Sequence, residues 1–344
     1  MGAFFMTYLS GCSSIYYLYQ AGRGQLRLFN RARPIKQVIA DPTTPPELAE
    51  ILRKIPEIKA FGEQSGLRPT QNYQDYVKLD QDAVVYVVTV ADALQFKPKI
   101  FSFPVVGSFN YIGWFGLEDA KKFASGFERE GFDVDVRGAS AYSTLGWFKD
   151  PLLSTMISRD HDKLSPEAYP EMVNVFLHES VHATVYISNQ SYFNESLAVF
   201  VADKLTAQYF ESKHQENSLG YQRYLEAQNR YEKVRMRLNT LYLELKKVYD
   251  SSVSAEEKQT LKRAKMGAIE DELQFKRKLT NATLIQYETY HSSEDDFKTL
   301  YESTGRSVPI FMKIMANIRA KDFTGPQQEN LKSLIERLRP VLRD

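Results

Sequence analysis

Apolar positions recur at three-to-four spacing along most of the chain, and that period predicts helix. Tyr16, Leu18, Leu26, Leu28 and Phe29 stand among Arg and Gln, so 13–62 reads as helical. Within it, Thr44 followed by Pro45-Pro46 and Glu47 marks a helix start, and the pattern carries that helix from Pro46 to Phe61. The pattern changes after residue 71. DAVVYVVTV (82–90) and KIFSFPVVG (99–107) are β-branched and aromatic runs between turn residues, and SFNYIGWF (108–115) continues them or forms a hairpin arm. LEDAKKFASGFEREG (117–131) returns to helical spacing, with Gly131 as its stop, and FDVDVRG (132–138) alternates like a strand.

AYSTLGWFKDPLLSTM (141–156) is rich in aromatics and turn residues and reads as an ordered loop or short strand. Helix resumes from Pro170 to Ser188, breaks at the polar SNQSYFN (188–194), and runs again from Glu195 to Lys213. Leu225, Val234, Leu238, Leu241, Leu245 and Val248 then define a long helix within 216–278, turned at DSSVS. The return helix opens on a capping box, Ser254-x-x-Glu257, so this region is expected to be an antiparallel helical hairpin. Segments 281–320 and 326–343 add two or more helices. Long helices with a few strands between them predict a mainly helical α+β class. The expected layout is a small mixed β-sheet from 71–140, helices over 170–213, a hairpin over 216–280 and C-terminal helices over 281–343. Packing leads us to expect the 170–188 helix beneath the sheet of 83–137, because so few strands must cover a helix face.

Composition adds limits. Of 344 residues, 43% are hydrophobic and 25% charged, as in ordinary globular chains. The net charge of +1 offers no field for nucleic acid, so no nucleic-acid partner is expected. One cysteine, Cys12, excludes an internal disulfide. It ends Leu9-Ser10-Gly11-Cys12 after an apolar start, which resembles a bacterial lipobox, whose Cys is lipid-modified. The competing reading is a Cys incidental to an N-terminal helix, and no Lys or Arg precedes the run. The expectation is a signal and lipobox over 1–12, then a single domain over 13–344. Cys12 would carry a lipid anchor to the membrane, since no other stretch has the length of a membrane-spanning helix.

The chemistry concentrates in His178-Glu179-Ser180-Val181-His182. Residues four apart on a helix share a face, so His178 and His182 present two imidazoles one turn apart, a spacing that suits two zinc ligands. Glu179 is turned by about 100° from His178, which keeps it off the metal but within reach of a water the metal activates. There it would serve as general base, then pass a proton to the leaving amine. Zinc needs a third protein ligand and an open position. Glu195, after Asn194, can return over the two histidines from the next helix, with Asn194 capping that helix. A carboxylate within the apolar run NESLAVFVAD needs a cation partner. Asn174 and Asp203 are candidates to orient the imidazoles. One Zn2+ per chain is expected. His161, His214 and His291 sit in polar contexts and read as solvated.

HESVH followed by Asn194-Glu195 is similar to the gluzincin arrangement of thermolysin and aminopeptidase N, with a shorter gap. With LSGCSSIYYLYQAGRGQLRLF, FPVVGSFNYIGWF, AYSTLGWFKDPLLSTM and LTNATLIQYETY, the chain resembles the bacterial family called "putative zinc aminopeptidase", a group of predicted lipoproteins, from Gly11 to about Tyr301. The resemblance implies a zincin-like fold and a zinc metallopeptidase acting on peptide substrates. His178, His182 and Glu195 would be its ligands and Glu179 its base. An edge strand that pairs with extended substrate would come from FNYIGWF or GASAYSTLGW. The start at Gly138-Ala139 is similar to the substrate strand of aminopeptidase N, but the glutamate that binds the free amine there has no counterpart here. Tyr287 or Tyr290 would steady the oxyanion, or else pack as aromatics. The implied location is the cell envelope of a bacterium, anchored and facing the periplasm. Two alternatives stay open: an endopeptidase on the same site, and a non-catalytic zinc-containing envelope protein.

Overall fold

The computed structural model describes residues 11–103, 107–144, 148–161, 163–291 and 293–338. The lipobox reading rests on residues 1–10, which lie outside that set, and on the Cys12 side chain, which is also outside it. No helix among the described residues is long and apolar enough to cross a membrane.

The elements are, in chain order, α1 (Gly11–Arg31), β1 (Arg33–Pro34), α2 (Ile35–Ala40), α3 (Pro46–Gln64), β2 (Asp75–Val77), β3 (Val85–Ala91), β4 (Phe101–Phe103), β5 (Gly107–Phe109) and β6 (Ile112–Trp114). Next come α4 (Leu117–Arg129), β7 (Asp133–Ala139), β8 (Leu152–Leu153), β9 (Arg159–Asp160), β10 (Lys163–Leu164), α5 (Ala168–Thr184) and α6 (Ser191–Ser212). Six helices follow: α7 (Leu219–Asp250), α8 (Ala255–Leu273), α9 (Asn281–His291), α10 (Glu294–Ser303), α11 (Val308–Met315) and α12 (Lys332–Leu338). The class is α+β and mainly helical. The chain divides into two compact units built from discontinuous stretches.

One unit takes in 11–20, Val85–Gly138 and Ala227–Tyr290. Its sheet has the order β6-β3-β7, with β3 central and antiparallel to β6. Nearly every residue of β3 is buried, which is why VVYVVTV shows no clean alternation. Val88, Val90, Ile112 and Trp114 pack with Ala120 and Ala124 of α4, while Ala91 of β3 packs with Ala282 and Ile285 of α9, so both helices cover the sheet within this unit. Gly131 takes φ +85 just past α4, the left-handed stop its sequence implied. Helices α7 and α8 pack on each other across a short turn. Ser254 accepts from the Glu257 N–H at 3.2 Å, and Leu238, Leu241, Leu245, Met266 and Ile269 form their shared core. Buried Lys262 fastens α8 to the strands by donating to Asp133 Oδ2 (2.5 Å) and to the Ala93 carbonyl (2.8 Å).

The other unit takes in Ala21–Val84, Ala139–Glu226 and the described residues from 291 to 338. It contains a small sheet of order β1-β2-β8, in which β2 and β8 are parallel with Tyr76 opposite Leu152. Helices α3, α5 and α6 pack together with α10 and α11. Met172, Val173, Leu177 and Val181 on α5 and Phe193, Leu197, Val201 and Leu205 on α6 are fully or almost fully buried. At Gly62 on α3, an added Cβ would come within 3.3 Å of Leu67 and 3.4 Å of Leu177, so the missing side chain lets α3 lie close to α5. The strands expected as one sheet over 71–140 fall into three small ones, β6-β3-β7, β4-β5 and the β2 strand of β1-β2-β8, and each of these strands is only two to seven residues long.

Candidate metal centre

The pentad lies in the last two turns of α5. That helix ends at Thr184, earlier than the expected Ser188, because Val185 and the residues after it are extended or turned. Helix α6 begins at Ser191 and not at Glu195, so Glu195 sits in its second turn. Asn194 therefore does not cap the helix as expected. Its amide Nδ2 donates to the Ile187 carbonyl at 2.8 Å, and its Oδ1 accepts from the Ile187 N–H at 2.9 Å. This two-way clamp on the α5–α6 connection fixes the residue beside Glu195. The connection is held from outside as well. Gln190 Nε2 donates to the Gly325 carbonyl (2.7 Å), and the Gln327 N–H donates to the Asn189 carbonyl (2.7 Å).

Helix α5 packs extensively along α6 and brings three donors together. His178 Nε2 and His182 Nε2 are 3.1 Å apart. Glu195 Oε2 lies 3.5 Å from the first and 3.4 Å from the second. Their side chains are 16%, 7% and 10% exposed in the order His178, His182, Glu195. Among the described residues, these three form the cluster able to hold a metal ion. A tetrahedral ion with bonds of about 2.05 Å separates its ligand atoms by about 3.3 Å. The observed edges bracket that value, so the triangle fits a small divalent ion. The donor set also fits, since two imidazoles and one carboxylate leave a fourth position open.

The electrostatics agree with a site that wants positive charge. Burial alone would raise Glu195, but the charge of His182 and the hydrogen bonds from both histidines hold its carboxyl well below the usual range. Burial likewise opposes a charged His182, yet Glu195 outweighs it and raises the imidazole above its ordinary value. A buried carboxylate between two imidazoles needs a proton or a metal cation to balance it. His182 Nδ1 is buried without a hydrogen-bond partner, so the usual outer-shell anchor for a ligating imidazole is not found at that atom.

Glu179 is half-buried and stands outside the donor triangle. Burial raises its pKa, the charges of His178 and His182 oppose the rise, and that of Glu195 adds to it. Asn174 and Asp203 meet each other: Asn174 Nδ2 donates to Asp203 Oδ1 at 2.9 Å and to Thr206 Oγ1 at 3.3 Å, tying α5 to α6. Desolvation by its surroundings pushes Asp203 up to about 6, against the pull of the Asn174 hydrogen bond. Tyr287 and Tyr290 belong to the other unit, on α9. Tyr287 stacks with Tyr231 (centroids 5.9 Å apart), and the Tyr290 hydroxyl accepts from Arg137 Nη2 at 3.0 Å. His161 and His214 are exposed as expected, but His291 is not solvated: its side chain is 10% exposed, with Nδ1 3.9 Å from Glu294.

Three residues near the centre escaped the sequence reading. The Tyr186 phenol is raised by burial and then by the charge of Glu195. Buried Asp150 is pushed up to about 6 by desolvation, with Glu179 adding to the shift, while its carboxylate accepts from the Thr144 N–H and hydroxyl. Tyr73 is subject to the charges of both Glu179 and Asp150. None carries a motif; each reaches the centre only through folding.

Comparison with known proteins places this geometry in a family. A family model described as "Putative aminopeptidase" matches residues 16–330, which takes in both units and the whole donor cluster. No curated protein and no solved structure matches the chain. The match runs through most of the chain, and the chain belongs to the putative aminopeptidase family.

Proposed function

We propose that this protein is a zinc-dependent aminopeptidase of gluzincin type, holding one zinc through His178, His182 and Glu195. The observation that carries the reading is the donor triangle, whose edges of 3.1, 3.4 and 3.5 Å suit one tetrahedral ion. Two imidazoles and a carboxylate with an open fourth position is the donor chemistry of catalytic zinc, whereas structural sites are closed by a fourth protein ligand. Zinc there would supply Lewis-acid polarisation of the scissile carbonyl and bring the pKa of a water near 7.

The chain's own residues account for the proton traffic. Glu179 sits one residue from the first ligand and turned off the metal face, so its carboxylate is free to take the proton of the attacking water. Its burial favours the protonated form, which lets it keep that proton and then release it to the departing amine. Glu195 stays anionic and balances the positive charge at the site. The Asn194 clamp holds the loop from which Glu195 projects.

The test has two parts. Purified protein should hold about one zinc, and the His178→Ala/His182→Ala double variant should hold none; full occupancy in that variant would sink the ligand assignment. A digest of peptides with free and with acetylated N-termini should then show cleavage only at free termini. Cleavage of the blocked set would make the protein an endopeptidase on the same site. We further propose a lipid anchor on Cys12 at a bacterial envelope membrane, supported by the sequence Leu9-Ser10-Gly11-Cys12. The anchor reading predicts that Cys12→Ser moves the protein from the membrane to the soluble fraction, and unchanged fractionation would overturn it.

A further inference from the structure

Helix α6 carries Glu195 but does not close its own start. Gln190 precedes it and makes no side-chain bond to its first turn, so the Ser191 N–H, one of the orphan donors of a helix start, needs an acceptor from elsewhere. A distant segment supplies it. Gln327 Oε1 accepts from the Ser191 N–H at 2.9 Å, although the two lie 136 positions apart. The Gln190 side chain is turned the other way: its Nε2 donates to the Gly325 carbonyl at 2.7 Å, and its Oε1 accepts from the Gln328 N–H at 3.0 Å. The Gln327 N–H completes the exchange by donating to the Asn189 carbonyl at 2.7 Å. Each glutamine side chain thus satisfies backbone of the other's segment. Phe323 adds an apolar contact, its ring 5.3 Å from that of Phe193 on α6. All of these residues belong to one unit.

Both sides of this junction hold left-handed backbone, Asn189 at φ +65 and Gln327 at φ +53. Asn takes that conformation readily and Gln does not, so at Gln327 the surroundings must impose it. The four hydrogen bonds do so, around Gln190 and Ser191 that are each 3% exposed. The consequence reaches the metal centre along the helix. In an α-helix that starts at Ser191, the Ser191 carbonyl accepts from the Glu195 N–H, so the residue held by Gln327 is bonded to the backbone of Glu195 one turn on. Residues 191 and 195 also share a helix face. The Asn194 clamp fixes the turn before α6 from within, and Gln327 fixes the first turn of α6 from outside.

We propose that Gln327 is a positioning residue of the metal centre, whose side-chain oxygen caps α6 and thereby sets where Glu195 meets His178 and His182. The segment 323–328 then belongs to the centre although it gives no donor to the cluster. Without the acceptor, the buried Ser191 N–H is stranded and the first turn of α6 frays, which carries Glu195 off the donor triangle.

The inference rests on His178, His182 and Glu195 being the ligands, so the experiment separates the two. Full-length wild type is compared with Gln327→Met, which keeps the length of the side chain and loses the acceptor, and with Gln327→Glu, which keeps an acceptor at a helix start that favours a carboxylate. Gln327→Asn, too short to reach Ser191 but suited to the left-handed backbone, serves as a second variant without a cap should Gln327→Met not fold. Val38→Ala, a buried truncation on α2, controls for lost stability alone. Urea unfolding of the metal-free proteins checks that each is folded, zinc affinity is read by competition with a chelator, and ligand geometry by the visible spectrum of the cobalt-loaded form. The variants without a cap should bind zinc about 10- to 100-fold more weakly and show shifted cobalt bands, whereas Gln327→Glu and Val38→Ala should lose no more than about threefold. Zinc binding within twofold of wild type in the variants without a cap, or an equal loss in Gln327→Glu or in Val38→Ala, would overturn the proposal. A further readout needs no metal. In metal-free protein carrying 15N at serine, the Ser191 amide, identified by its loss in Ser191→Ala, should exchange with solvent faster in Gln327→Met and not in Gln327→Glu; unchanged exchange refutes the cap. If wild type takes up neither zinc nor cobalt, the ligand reading fails and the positioning role with it; if wild type binds zinc and loss of the cap changes nothing, the positioning role fails alone.

Discussion

Replacing Asn194 tests how the fold builds the metal centre. Its side chain is 3% exposed and makes two hydrogen bonds with the backbone of Ile187, donating at 2.8 Å and accepting at 2.9 Å. Asn194→Ala removes both and leaves a backbone N–H and a carbonyl without partners in a buried loop. Each bond contributes about 1 kcal/mol net, and each stranded buried group costs about 1–3 kcal/mol, so the expected loss is about 2–5 kcal/mol. Asn194→Asp gives a graded comparison. It still accepts from the Ile187 N–H but sets an oxygen against the Ile187 carbonyl, so it too should lose stability. Because the clamp sits beside Glu195, loosening it should also weaken metal affinity by about 10- to 100-fold, the range for outer-shell changes. The assay is urea unfolding of the metal-free protein, so that lost metal binding does not contribute, followed by zinc titration against a competing chelator. Metal-free Asn194→Ala unfolding within 1 kcal/mol of wild type would show that the loop does not depend on the clamp. An unchanged zinc affinity would show that it does not position Glu195.

Glu179→Gln should keep its zinc and its fold while losing at least 100-fold in kcat, and near-normal peptidase turnover would exclude Glu179 as the base. Asp150 should give stability a definite pH slope. Its folded pKa of about 6 lies above the ordinary 3.8, so its contribution is fully present below pH 4 and is lost as pH rises through 6, a cost of about 3 kcal/mol at neutral pH. Asp150→Asn should flatten that slope, and unfolding curves at pH 4 and pH 7 check this; an unchanged difference between the two pH values refutes the attribution. Gly220 packs against the loop before α5, where an added Cβ would come 2.6 Å from the Pro166 carbonyl oxygen. Gly220→Ala should therefore destabilise by about 1–3 kcal/mol although alanine favours helix, and a neutral effect on the unfolding midpoint would contradict the packing.

The parts of this protein that could be read from its sequence are those in which a few neighbouring residues decide the outcome. The pairing of His178 with His182 follows from helical spacing, and the hairpin of α7 and α8 from its apolar period and the Ser254 cap. Gly131 announced the end of α4 because only a residue without a side chain takes its left-handed turn freely. Glu195 was identified as the partner of the histidines because an apolar helix leaves a carboxylate little else to pair with.

Tertiary structure decided everything that joins residues far apart in the chain. The parallel pairing of Tyr76 with Leu152, and the assembly of each unit from separated stretches, leave no local period to detect. Asn194 has the composition of a helix cap, but packing extended α6 back to Ser191 and turned its amide onto Ile187. His291 reads as solvated from its polar neighbours, but folding leaves it half-buried beside Glu294 at the start of α10. Tyr73 is the clearest case. Its left-handed backbone is unfavourable in an isolated chain, and it exists because hydrogen bonds to Asp150 and the ring of Phe176 hold it against that preference. Local sequence records what a segment prefers, and only the folded packing can show where a segment is held in a conformation it would otherwise leave.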